Sequence, residues 1–358
     1  MNKNEFSNEE ISLKRLKLHF PRITISLLFF AIAVNGQSRE VVILGSGDTM
    51  MGSWAEEIIS DSGYAYPFQR LQNEISGADI FFTNLEAPFG TTGAAFDKRF
   101  TFRVKPALVN VLLQGGVNLV SLANNHTMDY GADCLRETIE VLKKNNIKYA
   151  GAGFNLKEAR KSTIIEVKGK RIGFFSYSLT FPEEFWATDT SAGACFPYES
   201  FVFADVEALK QTVDFVIVAC HWGAELKEQP KPYQIKFGHR LIDSGADLIL
   251  GHHPHIVQGI ENYKGKYIVY SLGNFIFGSY SESARDSFLF RLTLREPGET
   301  IAQLIPINVY NKEVDFRPEP LKDARYKAFL EKMNRLSSEL NTDSIGISSK
   351  GLLSITKS

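Results

Sequence analysis

From Val41 onward, short runs of apolar residues alternate with segments in which apolar residues recur at helical spacing. The apolar runs have the length and composition of buried β-strands, and Pro or Gly residues mark the ends of the helical segments. The predicted strands are Val41–Leu44, Ile80–Thr83, Leu119–Leu122, Phe215–Cys220 and Leu248–Leu250. The predicted helices are Ala107–Gln114, Cys134–Lys144 and Pro232–Ser244. Strands that alternate with helices predict a layered α/β domain.

Later segments add antiparallel pairing to this pattern. Two β-rich runs within Ser162–Ser178 flank Lys168-Gly169-Lys170, which predicts a β-hairpin. Further strands are predicted at Lys266–Tyr270, Ser287–Arg295 and Ile301–Tyr310, so the sheets are expected to be mixed. Residues from about 319 to 340 have a helical pattern, and the Ser/Thr/Lys-rich tail after Asn341 predicts a poorly ordered end.

The first 37 residues form a segment of different character. Lys14, Arg15, Lys17 and Arg22 precede the uncharged run Ile23–Val34, and small residues follow. This order is typical of a secretory signal peptide, and the run is shorter than the roughly 20 apolar residues of a membrane span. An uncleaved signal anchor is the alternative. Either predicts an exported protein that is periplasmic, on the cell surface or anchored outside the cytoplasm.

Composition excludes several functional classes. Apolar residues make up 44% of the 358-residue chain and charged residues 23%, as in a globular protein. The formal net charge of -1 argues against nucleic acid as a partner. The three cysteines, Cys134, Cys195 and Cys220, contain no CxxC pair and predict buried thiols rather than a disulfide framework or a cysteine zinc site.

Polar side chains that could bind a metal follow the ends of the predicted strands. Ligands of open α/β sheets bind beyond the carboxyl ends of the strands, so these side chains are expected to converge on one cleft. They are Asp48, Glu86, Asn125, His126, His221, His253 and His255. Carboxylate, amide oxygen and imidazole groups suit zinc, manganese or iron.

The segment His252-His253-Pro254-His255 is the strongest single signal for a metal. On an extended segment His253 and His255 would point the same way, and Pro254 favours an extended conformation for His253. The other candidates have structural explanations when taken alone: Asp48 follows two glycines in a possible turn, and Asn124-Asn125 could cap a helix. The histidine segment by itself favours metal binding, and the other candidates strengthen that hypothesis as a set.

The ordered motifs resemble those of the CapA family of bacterial capsule synthesis proteins, which is associated with poly-γ-glutamate production. They span about residues 41 to 280. The motifs are GDTMMG (47–52), NLE (84–86), LANNHTMDYG (122–131), GAGFN (151–155), HWGAE (221–225), GHHPHIVQGIE (251–261) and SLGNF (271–275). The family is similar to calcineurin-like metallophosphoesterases. This implies an α/β (α+β) four-layer sandwich of two mixed β-sheets flanked by helices over residues 38–318, followed by a C-terminal helix and flexible tail over 319–358.

The resemblance also implies roles for particular residues. The implied ligands of two divalent metal ions (Mn, Fe or Zn) are Asp48, Glu86, Asn125, His221, His253 and His255. The implied general acid is His126, and Asp129 could orient it. The candidate substrate-binding residues are Asn84, Arg103, Asn124, Glu225, His252 and Asn274.

Two positions depart from the metallophosphoesterase pattern. Met50 stands where that pattern has a ligand histidine, and Glu86 stands where it has a bridging aspartate. Both departures disfavour simple phosphodiester hydrolysis. The leading hypothesis is a metal-dependent hydrolase or transferase of an anionic or peptidic capsule polymer such as poly-γ-glutamate. The alternatives are a general exported metallophosphoesterase and a non-catalytic protein that binds the polymer or a membrane-bound synthase complex.

Overall fold

The computed structural model describes residues 40–296, 298–341 and 344–356. The predicted signal segment, residues 1–37, lies outside the described residues. Within those ranges, no helix has the length and apolar character needed to cross a membrane.

The helices and strands follow the predicted alternation closely. The helices are α1 (Trp54–Ser62), α2 (Gln72–Ile75), α3 (Val109–Gly115), α4 (Gly131–Lys144), α5 (Leu156–Ala159), α6 (Val202–Lys210), α7 (Pro232–Asp243), α8 (Asn311–Val314) and α9 (Asp323–Ser338). The first nine strands are β1 (Val41–Met50), β2 (Ile80–Leu85), β3 (Leu119–Ser121), β4 (Lys148–Ala150), β5 (Ala152–Gly153), β6 (Thr163–Val167), β7 (Lys170–Ser178), β8 (Gly193–Ala194) and β9 (Phe215–His221). The others are β10 (Leu248–His252), β11 (Ile260–Tyr263), β12 (Lys266–Val269), β13 (Asn274–Phe277), β14 (Asp286–Leu294), β15 (Thr300–Asn308), β16 (Glu319–Pro320), β17 (Ser344–Ile347) and β18 (Leu353–Thr356).

Two mixed sheets contain most of the described strands. The first has the order β16-β15-β14-β1-β2-β3-β4, and β13 also pairs with β1. Its strands β1 to β4 are parallel, whereas β14, β15 and β16 are antiparallel to their neighbours. The second sheet has the order β11-β12-β10-β9-β7-β6, with parallel central strands and antiparallel edges. The predicted hairpin is β6-β7, and the prediction of mixed sheets is confirmed.

Alternation of side chains along the strands builds four layers. Successive residues of a strand point to opposite faces, so Ile43 packs in the core between the two sheets while Leu44 packs against the outer helices. Helices α1, α3 and α4 cover the first sheet, and α6 and α7 cover the second. The predicted α/β four-layer sandwich is therefore confirmed. Cys134, Cys195 and Cys220 are buried and unbridged, as predicted.

Strand β1 is longer than the sequence predicted because its glycines allow a close approach to a neighbouring segment. It continues past Leu44 to Met50, with a register shift between Gly45 and Asp48. A Cβ atom on Gly47 would lie 2.0 Å from the Gly273 carbonyl oxygen, and the Asp48 N–H donates to that same oxygen at 2.9 Å. Asp48 therefore lies in a strand and not in a turn.

The chain after Asn341 differs from the prediction of a flexible tail. Strands β17 and β18 form an antiparallel hairpin, and Ile345 and Ile347 are buried in the core between the sheets. The Leu304 N–H donates to the Gly351 carbonyl, which attaches the hairpin to β15. Apolar residues alternate with polar ones in this segment, but its overall composition is polar. Its apolar face is buried by contact with α9 and β15.

The buried hairpin predicts a stability difference between two isoleucines. Ile347→Ala removes a side chain that is 7% exposed, so we expect the free energy of unfolding to fall by about 2–4 kcal/mol. Ile355→Ala, at a position that is 39% exposed in the partner strand, is the matched control and should cost less than about 1 kcal/mol. Urea unfolding measures both, and equal small effects would contradict a hairpin that belongs to the core.

Candidate metal centre

The carboxyl ends of parallel strands from both sheets meet at one buried cluster. In the first sheet Asp48 lies beside Asn84, and in the second sheet His221 lies beside His252. The predicted site residues that are buried here are Asp48, Asn84, Glu86, Asn124, His126, Asp129, His221, His252, His253 and Asn274. The predicted convergence of strand ends is thus present in the structure.

The Asp48 carboxylate connects the two sheets. Its Oδ1 accepts a hydrogen bond from Asn84 Nδ2 at 2.9 Å and lies 3.1 Å from His252 Nδ1. Its Oδ2 accepts from the His253 backbone N–H at 3.2 Å and lies 3.4 Å from His255 Nδ1. The end of β1 is therefore tied directly to the segment that follows β10.

Asn84 organises the side chains around Asp48. Its Nδ2 also lies 3.3 Å from Glu86 Oε2 and 3.2 Å from His221 Nδ1, and its Oδ1 accepts from Asn124 Nδ2 at 3.1 Å. Asn124 in turn donates to the Leu85 carbonyl. Both amides are thus engaged within the protein and position other residues, so direct substrate contact by Asn84 or Asn124 stays a prediction.

Among the described residues, two groups of side chains have the geometry to hold a metal ion, and Glu86 belongs to both. The first group is Glu86, His221 and His253, and the second is Asp48, Glu86 and His255. In each group the possible ligand atoms all lie within 4.8 Å of one another. Asn125 Oδ1, 2.8 Å from His221 Nε2, adds an amide oxygen beside the first group.

The hydrogen-bond inventory of the cluster fits a cation. Glu86 Oε1 and His253 Nδ1 are buried and have no hydrogen-bond partner in the structure. Such orphaned polar atoms are rare in protein interiors because each loses its solvation without compensation. Oxygen and imidazole nitrogen donors without thiolate suit manganese, iron or zinc. The donor set therefore fits the divalent metal that the sequence predicted.

Burial and mutual repulsion perturb the charges of the cluster. Burial and the nearby Asp48 carboxylate raise the pKa of Glu86 well above its usual value. Burial opposes ionisation of Asp48 too, but hydrogen bonds with His252 and His255 hold its pKa well below the usual value. Against the effect of burial, Glu86 and Asp48 raise the pKa of His255 to about 9. Positive charge beside the two buried carboxylates favours their ionised forms, and a bound divalent cation would supply such charge.

Two further histidines of the cluster, His221 and His253, are held in the neutral form. Burial lowers the pKa of His221 well below its usual value, and burial together with the charge of His255 lowers the pKa of His253 to about 3. A neutral imidazole keeps a free lone pair, which is the form that ligates metals.

His126 has the environment of a positioned acid–base group. Its Nδ1 lies 2.7 Å from Asp129 Oδ2, which also accepts from the Phe102 N–H at 2.6 Å. An ionised carboxylate only accepts hydrogen bonds, so Nδ1 carries the hydrogen of this contact and Nε2 is left for proton transfer. Burial lowers the pKa of His126, and Asp129 opposes that effect.

Lys98 is a member of the site that the sequence did not reveal. Its Nζ lies 2.5 Å from Asp129 Oδ1, donates to the Asn125 carbonyl at 2.5 Å and lies 3.3 Å from His126 Nδ1. Lys98 belongs to a loop without regular structure or motif, so only tertiary folding brings it to the site. In the sequence, Lys98 has only the nearby aromatic residues Phe96 and Phe100 to mark it.

The remaining predicted substrate-binding residues fall into two sets. Asn274 Oδ1 lies 3.0 Å from His255 Nδ1, and the charge of exposed Glu225 reaches Glu86 strongly enough to raise its pKa. Arg103 instead donates to the Thr92 carbonyl at 2.8 Å and stacks over the Tyr130 ring, so its described contacts are not with the candidate ligand side chains.

Two details correct or refine the ligand predictions. His253 and His255 have φ angles of 94° and 61°, so the segment bends after β10 and the prediction of an extended conformation is wrong. The bend, supported by the Asp48 contact to the His253 N–H, delivers the two imidazoles to different ligand groups. Met50 is buried in the outer core, and its Sδ accepts from the Gly52 N–H at 3.2 Å.

A four-layer sandwich with carboxylates and imidazoles gathered at its strand ends defines an α/β protein with a candidate metal centre. The chain belongs to the family described as bacterial capsule synthesis protein PGA_cap, whose model matches residues 42–279. This finding confirms the resemblance that the motifs indicated.

Named relatives agree with the family. The chain is 31% identical over 315 residues to the capsule biosynthesis protein CapA of Bacillus anthracis, covering 86% of this chain and 73% of that protein. It is 31% identical over 280 residues to the PGA biosynthesis protein CapA of Bacillus subtilis (strain 168), covering 77% and 72%. A probable polyglutamine synthesis accessory protein of Mycobacterium tuberculosis is 28% identical over 327 residues, covering 76% of this chain and 86% of that protein.

Similar solved structures are more distant. A 5'-nucleotidase precursor from Thermus thermophilus is 15% identical with a TM-score of 0.43, covering 79% of this chain and 54% of that chain. The calcineurin-like phosphoesterase YfkN from Bacillus subtilis is 14% identical with a TM-score of 0.41, covering 73% and 87%. At these identities and TM-scores, the similarity supports no statement about the activity or the ligands of this protein.

The His126 environment predicts the effect of neutralising its partner. Asp129→Asn leaves His126 buried but removes the negative charge that favours the imidazolium, so the pKa of His126 should fall further. Histidine resonances followed by NMR across a pH titration measure this shift. Asp133→Asn, an exposed carboxylate in the first turn of α4, is the control and should leave His126 unchanged. A rise in the pKa of His126 in Asp129→Asn would contradict the assigned contact.

Proposed function

We propose that this protein acts outside the cytoplasm in the biosynthesis of a capsule polymer. The proposed activity is metal-dependent hydrolysis or transfer of poly-γ-glutamate or a related anionic, peptidic chain. The observation that carries the proposal is the Glu86 carboxylate shared by two candidate ligand groups beside the His126–Asp129 pair. The names of the two Bacillus relatives support capsule and PGA biosynthesis as the setting.

The residues of the proposed metal centre divide into two sets. One divalent ion (Mn, Fe or Zn) would be held by Glu86, His221 and His253 with Asn125, and a second by Asp48, Glu86 and His255. Bound ions of this kind polarise a scissile group and lower the pKa of bound water. Met50 stands where the metallophosphoesterase pattern has a ligand histidine, and its Sδ is paired with the Gly52 N–H. The second set therefore lacks one ligand and should bind its ion more weakly.

The protein's own residues would handle the proton of the leaving group. In hydrolysis of a γ-amide bond, water adds to the carbonyl carbon and gives a proton to His126 Nε2, the C–N bond breaks, and the departing amine takes that proton from His126. In transfer, a nucleophilic group of an acceptor takes the place of water and loses its proton in the same way. Asp129 and Lys98 would hold His126 in place during either reaction.

A non-catalytic role is the second candidate. The Mycobacterium tuberculosis relative is described as an accessory protein of polyglutamine synthesis, and Met50 occupies the position of a ligand histidine. In that role the protein would bind the polymer or a membrane-bound synthase complex without breaking a bond. A general exported metallophosphoesterase would instead release phosphate from a simple ester.

The shared carboxylate predicts how metal content responds to substitution. Purified wild-type protein dialysed against Mn, Fe or Zn should retain about two equivalents. Glu86→Ala removes a ligand from both groups and should retain less than about one, whereas His255→Ala affects one group and should retain about one. His239→Ala, a histidine paired with Glu261 outside the cluster, is the control. Elemental analysis that finds no metal in the wild type after each addition would overturn the metal-dependent mechanism.

The proposed role of His126 predicts a separate effect on turnover. His126→Ala should slow metal-dependent shortening or transfer of poly-γ-glutamate by about 10²–10⁴-fold while metal content is retained. Gel filtration of the polymer after incubation measures chain length, and phosphate release from a model ester tests the phosphoesterase alternative. If His126→Ala supports normal capsule formation in cells, the catalytic proposal is wrong and the accessory role is favoured.

A further inference from the structure

A cleft outside the metal centre lies at the open edges of the two sheets. It is formed by the end of α4, strand β4, helix α5 and strand β6, and it encloses about 760 Å³. Its polar wall includes Lys143, Lys148, Lys161, Tyr149, Ser162 and Thr163. Three ammonium groups therefore border one cavity together with hydroxyl donors. We call this feature the lysine cleft.

The positive charge of the lysine cleft is uncompensated by the protein. Lys143, Lys148 and Lys161 are exposed, and none of them forms an ion pair with another residue of the described ranges. Glu158 is the one carboxylate among the lining residues, and its Oε2 accepts from the Phe154 backbone N–H at 3.1 Å. The cleft thus presents a net positive charge to solvent.

An adjoining cavity extends the same basic surface. It encloses about 1210 Å³, shares Glu158, Lys161, Ser162 and Ile164 with the lysine cleft and adds Lys157. The arginine in its wall, Arg160, is already paired with Asp205 at 2.6 Å. Free charge is therefore supplied by lysines along both cavities, which suits an elongated ligand better than a single small anion.

The register of the first sheet relates the lysine cleft to the metal centre. Asp48 lies beside Asn84, Asn84 beside Ser121, and Ser121 beside Ala150, which lines the cleft. Three strand spacings of about 4.8 Å separate the first and last of these residues, or roughly 14 Å. A polymer of a few residues can span that distance.

We propose that the lysine cleft binds a carboxylate-bearing stretch of the polymer while another part of the same chain reaches the metal centre. The inference rests on the proposed function, because that function supplies the polyanion. One exposed lysine–carboxylate pair contributes little, but several pairs along one chain act together and raise the effective affinity. A chain with one carboxylate per residue meets this requirement along its whole length.

Binding of a labelled poly-γ-glutamate fragment to the full-length, metal-loaded protein tests the lysine cleft. The variant K143Q/K148Q/K161Q should weaken binding by about tenfold in fluorescence anisotropy at low salt, and the difference should shrink as salt rises. The control K144Q/K236Q/K312Q changes charge equally at exposed lysines that line neither cavity and should bind like the wild type. Equal binding by the two triple variants would overturn the inference.

Two further measurements separate this inference from the proposed function. A polyphosphate of equal length that competes as well as poly-γ-glutamate would overturn the assignment to a carboxylate polymer. His126→Ala should bind the labelled fragment like the wild type, because His126 lies outside the cleft. Loss of turnover in His126→Ala with equal binding by the two triple variants would support the proposed function and reject the lysine cleft. If binding depends on the lysine cleft but the wild type shows no turnover, the lysine cleft is supported and the proposed function is rejected.

Discussion

The proximity of two buried carboxylates, Asp48 and Glu86, is the constraint on which the rest of the site depends. Each carboxylate alone would resist burial, and together they repel, which is why the pKa of Glu86 rises so far. Asn84 donates toward both carboxylates, and the cationic form of His255 offsets their negative charge. Glu86 Oε1 and His253 Nδ1 are left without a hydrogen-bond partner, so the cluster has room for further positive charge.

The two sheets make this arrangement possible because each contributes one side of the cluster. Parallel strands bring Asp48 and Asn84 together at one edge, and His221 and His252 together at the other. The core between the sheets fixes the separation of those edges, since Ile43 and Leu250 pack in the same apolar layer. Helices cover the outer faces, and the buried polar side chains gather at the strand ends.

Sequence patterns predicted the fold well where the signal was local. Buried strands such as Phe215–Cys220 and amphipathic helices such as α7 appear in the structure within a few residues of their predicted bounds. The hairpin β17-β18 was missed because its apolar alternation is short and set among Ser and Lys residues. Its burial comes from contact with α9 and β15, which lie elsewhere in the chain. The local composition of the hairpin therefore does not indicate which elements it packs against.

The sequence by itself determined the residue types of the site and their placement after strands, because a strand end is a local property of the chain. It also determined membership of a capsule synthesis family, since the motifs occur as an ordered set. Only the tertiary structure decided that Glu86 is shared between two candidate ligand groups, that His253 and His255 separate at a bend, and that Lys98 reaches Asp129. These relations join atoms from distant segments, and their geometry depends on how the two sheets pack rather than on spacing along the chain.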